Sequence, residues 1–404
     1  MNIAIIARRL NIGGGTQRMV AHVADQYRKA GHEVTLYTFW YSADDCYPEI
    51  LKQFTVVEAD ADCVARIKRT SSTRGVVAFF KTYISENSAA RNLALKISKD
   101  TTVLNPHDQL AYRVIRYFKR EVKNVPSVWM MNDISTKRAS LKRNAQFNPN
   151  LRVSFVRKVW YWLLDTFEYF WFIRYQDKIA VVDTRDRDMA DQQFYKKNTY
   201  IVRNGLDVTE FPYQAREGIN GTIYLLCVAI LLPHRRFEDA IMAVSLLNKK
   251  GIPTELTIIG APADMDYYRA LQALVTELEI IDKVHFFGKV PYEQLREAYR
   301  TSHIFVFPCH LQSWGLVVFE AIASGLPVIV SKTAGASEVL EDKKTAMIVN
   351  PYSPEQIVAA VEELAHDPAL YRNISKDGRK FVEENISWER YARELLDLCK
   401  EAGA

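Results

Sequence analysis

None of the five cysteines, Cys46, Cys63, Cys227, Cys309 and Cys399, stands in C-x-x-C spacing, and their odd number excludes a complete disulfide framework. A reduced, cytoplasmic setting is the expectation that follows. Long apolar runs are missing too: the most hydrophobic window, 159–173, is interrupted by Asp165 and Glu168 and falls short of a membrane span. The opening run Met1 to Ala7 is only strand-length and leads into Arg8-Arg9 and a glycine loop, so it does not read as a signal peptide. There is no G-x-G-x-x-G, and the second candidate strand ends Tyr37-Thr38-Phe39-Trp40 without the acidic residue that would hold a dinucleotide ribose, which disfavours NAD. The absence of G-x-x-x-x-G-K-S/T excludes a P-loop. Internal repeats and low-complexity tracts are lacking as well.

Acidic residues are absent from one stretch. Between Ile134 and Lys158 stand seven cations (Lys137, Arg138, Lys142, Arg143, Arg152, Arg157, Lys158) and no carboxylate, although the whole chain carries a net charge of only +5. Such a run is either a solvated face or a landing surface for an anionic lipid headgroup or polyanionic acceptor. No nucleic-acid-binding motif accompanies it, so nucleic acid is not an expected partner.

What is present is an ordinary globular balance, 48% apolar and 25% charged, in a chain of 404 residues, long enough for two domains. The first forty residues read strand (Ile3 to Ala7), glycine loop (Gly13 to Gly15), helix (Thr16 to Lys29) and strand (Val34 to Phe39), the opening βαβ unit of a parallel sheet. Strand-like runs follow at Thr101 to Leu104, Ser127 to Met131 and Lys178 to Val182. A second set comes at Tyr224 to Ala229, Glu255 to Ile259, Val284 to Phe287, Ile304 to Phe307 and Pro327 to Val330. Helical patterns alternate with both sets, which predicts an α/β chain of two Rossmann-like parallel-sheet domains with an interdomain cleft. The expected divisions are 1–200, 201–385 and a C-terminal helix at 386–404 packing back toward the first domain. The segment Arg152 to Tyr175 has aromatic residues on several faces, among them Phe155, Trp160, Trp162, Phe167 and Trp171. It predicts a helix packed on both sides, the alternative being an interfacial helix whose Arg157, Lys158 and Arg174 meet anionic lipid.

Two loops carry chemistry. Glycines after a strand let a backbone approach a phosphate, and Gly13-Gly14-Gly15-Thr16 is such a loop, or simply a tight turn. In the second half, Phe307 to Val330 reads strand, loop, helix, strand, with the helix starting near Leu316 or Val317. The free amides of Gly315, Leu316 and Val317 then face the crevice at the strand ends, where a diphosphate is stabilised. Glu320 falls on the first turns of that helix, within reach of a ribose diol. Gln312, Ser313 and Trp314 lie in the loop above. A buried βα turn with a helix-stabilising Glu is the plain alternative.

The stretch Gln312-Ser313-Trp314-Gly315-Leu316-Val317-Val318-Phe319-Glu320-Ala321-Ile322-Ala323-Ser324-Gly325-Leu326-Pro327-Val328 resembles the signature of the retaining glycosyltransferases of family 4, which have the GT-B fold. Glu320 matches the second of that family's two glutamates, and Gln312 stands in place of the first. Other stretches are similar in order: Gly13 to Gln17, Ile201 to Asp207, Phe287 to Val290 with Glu293 to Tyr299, and Ile386 to Glu389. By this resemblance Glu320 binds the nucleotide ribose and Gln312 the donor sugar, while Gly14, Gly15, Thr16, Lys289 and Val290 belong to the donor site. Tyr224 to Ala240 resembles the phosphate-binding segment, with Ile230 at the family's Arg position and Arg235, flanked by Arg236, at its Lys position. Where many members have a His, this chain offers Asn132 with Asp133 beside it, and His107 is a second acceptor-side candidate.

The resemblance implies transfer of a mannose- or glucose-type hexose from a UDP- or GDP-sugar to a glycan or lipid-linked acceptor, in cell-envelope polysaccharide or glycoconjugate synthesis, with an anionic membrane surface as a further candidate partner. The departures at Ile230, Gln312 and Asn132 keep a non-catalytic nucleotide-sugar-binding subunit open, and a nucleotide-sugar epimerase behind it. Three Asp-x-Asp pairs, at Asp60/Asp62, Asp186/Asp188 and Asp264/Asp266, match a metal-clamp pattern of a different fold, and no required metal or cofactor is expected.

Overall fold

The computed structural model of the chain describes residues 1–71, 76–132, 136–138, 140–141, 153–194, 198–311 and 314–403. It divides into two units, Met1–Gly205 with Trp388–Ala404, and Leu206–Ser387. In the first unit seven parallel strands, β1 (Asn2–Ala7), β2 (Glu33–Thr38), β3 (Thr55–Glu58), β4 (Val103–His107), β5 (Val128–Met130), β6 (Lys178–Val181) and β7 (Thr199–Ile201), lie in the order β3-β2-β1-β4-β5-β6-β7. In the second unit β8 (Ile223–Val228), β9 (Thr254–Ile259), β10 (Val284–Gly288), β11 (Ile304–Phe307), β12 (Val328–Ser331) and β13 (Met347–Val349) are parallel in the order β10-β9-β8-β11-β12-β13. Both are doubly wound Rossmann sheets. Their winding reverses between β1 and β4 and between β8 and β11, and at such a reversal the loops leaving the strands part to open a crevice.

The predicted strand at Thr101 to Leu104 is shifted to Val103–His107 because the chain runs straight through Pro106. A proline cannot donate to a sheet ladder, so it is a poor member of a central strand. Here the backbone of Leu104 donates to Pro126 (2.9 Å) and that of Asp108 to Met130 (2.9 Å), which leaves the carbonyl of Val128 facing the amide that Pro106 lacks. The side chain of Asn105 takes over, its Nδ2 donating to the Val128 carbonyl at 2.7 Å. Its Oδ1 accepts from the Tyr27 hydroxyl (3.3 Å) and lies 3.0 Å from His107 Nε2, all three residues being fully buried.

Helix α1 (Gly15–Lys29) covers one face of the first sheet, and the short α2 (Pro48–Leu51) follows β2. Against it packs the last helix, Trp388–Gly403, through a stripe of Trp388, Tyr391, Ala392, Leu395 and Cys399 at helical spacing. Trp388 stacks on His22 with ring centroids 4.7 Å apart. The opposite face is covered by α3 (Ala61–Ser71), α4 (Val76–Lys96) and α5 (Ala111–Glu121), with Leu93, Ile115 and Phe118 in the core.

The aromatic helix, Phe155–Trp171, is not packed on both sides: none of its residues is buried. It touches α4 through Phe80 on Trp160 and Tyr83 on Phe167, and α5 through the pair of Glu168 with Arg113, while Phe155, Val156, Trp162 and Phe170 are exposed. Its amphipathic period is real, but aromatic content alone does not tell a covered face from a bare one. The Asp-x-Asp pairs have local work, Asp60 pairing with Lys96 and Asp264 capping the helix Met265–Glu277 through the amides of Asp266 and Tyr267. Among the described residues no helix is long and apolar enough to cross a membrane.

Asn105→Ala strands three buried groups at once. At about 1 kcal/mol net for each lost hydrogen bond, we expect a loss of roughly 3 kcal/mol in urea unfolding; a loss indistinguishable from a surface substitution would show that Val128 and His107 find other partners.

Candidate functional site

In the second unit the loops leaving β8 and β11, the strands flanking the reversal, are tied together. The backbone of His310 donates to the carbonyl of His234 at 2.8 Å, and Arg235 Nη1 lies 3.9 Å from Cys309 Sγ. Burial pushes the Cys309 thiol up to about 11, despite the opposing pull of the Arg235 guanidinium, so this cysteine is a neutral wall group.

The loop after β11 ends at Gly315, which caps helix Leu316–Ala323 in the left-handed region (φ 79°, ψ 63°). A Cβ there would meet the Phe307 ring at 3.1 Å, a tight contact, and the left-handed backbone itself favours glycine. Trp314 is buried and stacks on Phe319 at 4.6 Å, pinning the turn on its other side. The first turn of the helix carries neither a side-chain cap nor an acidic residue to absorb its positive end. One turn on, Glu320 is 5% exposed, and Tyr299, itself fully buried on helix Tyr292–Thr301, donates its hydroxyl to Glu320 Oε2 at 3.0 Å. Tyr299 thus orients the carboxylate. The resemblance passes through it without marking it, because the partnership joins two helices 21 residues apart.

The other expected site residues fall as follows. Arg235 ends a short 3-10 turn, Pro233–Arg235, beside Cys309. Arg236 has φ 55° and is bound by Glu238 and Asp239, its guanidinium lying 4.2 Å from the centroid of the Tyr352 ring. Lys289 is exposed and Val290 half-buried, just after Gly288 in the left-handed region. Ile230 is 51% exposed. Gln312 and Ser313 lie outside the described residues, as does Asp133.

In the first unit Gly14 caps α1 with extended backbone, followed by Gly15 and Thr16 in its first turn. A Cβ at Gly13 or Gly15 would meet nothing within 4 Å, and neither residue has positive φ, so the fold itself does not require glycine there. His107 ends β4 with no exposure. Because Asn105 Oδ1 can only accept, His107 Nε2 is the protonated nitrogen, which leaves Nδ1 as a bare acceptor without a partner among the described residues. Burial lowers its pKa to about 3, so the ring is neutral at neutral pH. Asn132, beyond the end of β5, likewise has both amide atoms buried and unpartnered among the described residues.

Residues 212–381 match the family model of the glycosyl transferases, group 1. That stretch lies within the second unit and contains the tied loops, Gly315 and Glu320. Glycogen synthase of Mycobacterium tuberculosis is 25% identical over 224 residues, 55% of this chain and 53% of that protein. The GDP-mannose-dependent alpha-(1-6)-phosphatidylinositol monomannoside mannosyltransferase of Mycolicibacterium smegmatis is 27% identical over 190 residues, 45% of this chain and 49% of that one. The chain therefore spans about half the length of these curated relatives. Solved structures align over almost its full length. Sucrose-phosphate synthase from Thermosynechococcus elongatus does so with a TM-score of 0.72 at 17% identity, over 99% of both chains. HepE of Anabaena, in complex with UDP and glucose, gives 0.71 at 13% identity, over 99% of this chain and 100% of that one. The fold is GT-B, built of two Rossmann-like units.

Gly315→Ala should lower stability by about 1–2 kcal/mol from the left-handed backbone alone, read in urea unfolding, with the Phe307 contact adding to it; an unaffected midpoint would contradict the required turn. His107 makes a pH prediction. With its folded pKa near 3 and an unfolded value of 6.5, its contribution is fully present above pH 6.5 and is lost as pH falls from 6.5 toward 3. Replacing it by Leu should flatten the acid side of the stability profile by up to about 1.4 kcal/mol per pH unit, and superimposable profiles would refute the neutral buried ring.

Proposed function

We propose that the chain is a retaining glycosyltransferase of family 4 type, moving a mannose- or glucose-type hexose from a UDP- or GDP-sugar to a glycan or lipid-linked acceptor. One observation carries the reading: an uncapped helix start held open by Gly315, with an oriented and buried carboxylate, Glu320, one turn behind it, inside the segment that matches the group 1 family model. The curated relatives support a sugar nucleotide as donor, since one is named for GDP-mannose, and a structural neighbour was solved with UDP and glucose.

In this reading the amides of Gly315 to Val317 and the guanidinium of Arg235 meet the charge that develops on the departing nucleoside diphosphate. Glu320, fixed by Tyr299, accepts hydrogen bonds from the ribose diol. Gln312 and Ser313 would contact the donor sugar, and Lys289 and Val290 the base. On the first unit Gly14, Gly15 and Thr16 would approach the donor, with open space beside Gly15, and Asn132, Asp133 and His107 would serve the acceptor. The bare Nδ1 of His107 suits hydrogen-bond acceptance from a hydroxyl better than proton removal, because its pKa lies far below neutrality. The departing phosphate oxygen takes the acceptor's proton, so the new glycosidic bond forms as the sugar–phosphate bond breaks on the same face. The exposed aromatic helix with Arg157 and Lys158 supports work at an anionic membrane surface.

Glu320→Gln keeps a partner for Tyr299 but removes the charge. Calorimetric titration with UDP and with GDP should show the preferred nucleotide weakened by about 1.5–3 kcal/mol. If neither nucleotide binds the natural protein, or the variant binds as tightly, the donor site is elsewhere.

A further inference from the structure

The first unit contains a cavity of about 300 Å³ that the donor chemistry does not use. It lies at the carboxyl end of the sheet, where Arg8, Gln109 and Thr136 follow β1, β4 and β5, and α4 and the aromatic helix Phe155–Trp171 line it further. Its volume is at the small end of the roughly 300–1,000 Å³ typical of small-molecule sites.

The polar lining is prearranged. Glu168, reaching in from the aromatic helix, accepts from Arg113 Nε at 2.7 Å, from the Tyr83 hydroxyl at 2.9 Å and from the Tyr112 hydroxyl. Arg113 Nη1 donates to Glu86 at 3.0 Å, and its guanidinium lies 4.4 Å from the centre of the Tyr83 ring. Counted together, the charged lining groups are three cations, Arg8, Arg113 and Lys137, and three carboxylates, Glu86, Asp165 and Glu168. A balanced wall has no surplus for a phosphate, whereas interleaved acceptors and donors suit the hydroxyls of an uncharged sugar. The rings of Phe79, Tyr83 and Phe167 also line the cavity, and aromatic walls are the kind of surface on which a sugar's C–H face packs.

The wall is continuous with an apolar exterior. Phe167 lines the cavity and is also 43% exposed, stacking at 5.2 Å on Trp171. Beyond it extend Phe80, Trp160 and Leu163, exposed on α4 and on a helix that buries none of its residues. A polar recess opening beside a bare apolar face has the shape of an amphiphile.

We propose that this cavity binds the uncharged saccharide head of an amphiphile whose hydrocarbon chain lies along the aromatic helix. As the identity of the acceptor this rests on the transferase reading; as a binding site it stands on the cavity alone. The probe is n-octyl β-glucoside, kept below micelle formation and titrated by tryptophan fluorescence with nucleoside diphosphate present to occupy the second unit. Glucose and n-octyl phosphate serve as comparisons, one lacking the chain and the other carrying an anionic head.

The glycoside should bind saturably, with glucose and the alkyl phosphate each about tenfold weaker or more. Phe167→Ser, at a half-exposed position, should weaken the glycoside about tenfold and leave nucleotide affinity unchanged. Glu86→Gln retains an acceptor for Arg113 but adds one positive charge to the lining, and should shift preference toward the alkyl phosphate. Equal binding of glucose or alkyl phosphate, indifference to Phe167→Ser, or a stable dimer that masks the face without taking up glycoside would each overturn the proposal. A protein that binds the glycoside but no nucleotide would keep this site and discard the transferase reading.

Discussion

At Gly315 the backbone passes through a left-handed turn against the ring of Phe307, and the second unit's candidate site is arranged around that one steric condition. The turn decides where the helix behind it begins, and so which amides go without a carbonyl partner. It sets the height of Glu320, which Tyr299 then holds from the neighbouring helix. The tie between His310 and His234 brings Arg235 alongside, across the line where the winding of the sheet reverses. None of these groups is unusual alone. Their convergence follows from parallel strands that deliver every loop to the same end of the sheet.

The first unit meets a different difficulty at the corresponding reversal. Pro106 removes a ladder hydrogen bond from a central strand, and Asn105 restores it from the side chain. Having given its donor to Val128, Asn105 has only an acceptor left for His107, which settles the tautomer of the imidazole. A backbone repair thereby determines the electronic character of a group at the strand end. Structural and chemical roles cannot be separated at this point in the molecule.

Much of the architecture was legible because buried parallel strands are continuous apolar runs separated by helix-length amphipathic segments. The strands β1, β2, β5, β6, β8, β9, β10, β11 and β12 all stand where the pattern predicts them, and the doubly wound α/β class follows from the alternation. The edge strands β3, β7 and β13 were missed, having only three or four residues in a chain where such runs are common. The shift of β4 had another cause: proline reads as a breaker, and nothing in a linear pattern announces that a neighbouring Asn will substitute for its amide. In the site, the helix start at Leu316 and the placement of Glu320 upon it were readable from the strand–loop–helix pattern. Tyr299 was not, since its partnership is tertiary. The aromatic content of the helix Phe155–Trp171 predicts cover on both sides, with an interfacial helix as the alternative, because composition reports that a residue is apolar and not what lies opposite it.

The last helix, Trp388–Gly403, completes the first unit from the far end of the chain. During synthesis the second unit, continuous from Leu206 to Ser387, emerges whole before Trp388 does, and can close on its own core while α1 still waits for its cover. The apolar side of α1 around His22 is then exposed to water throughout that interval. A ribosome stalled or a message truncated ahead of Trp388 would release a polypeptide with a finished carboxyl-terminal half and an amino-terminal half lacking its final layer, a natural substrate for chaperones and proteases.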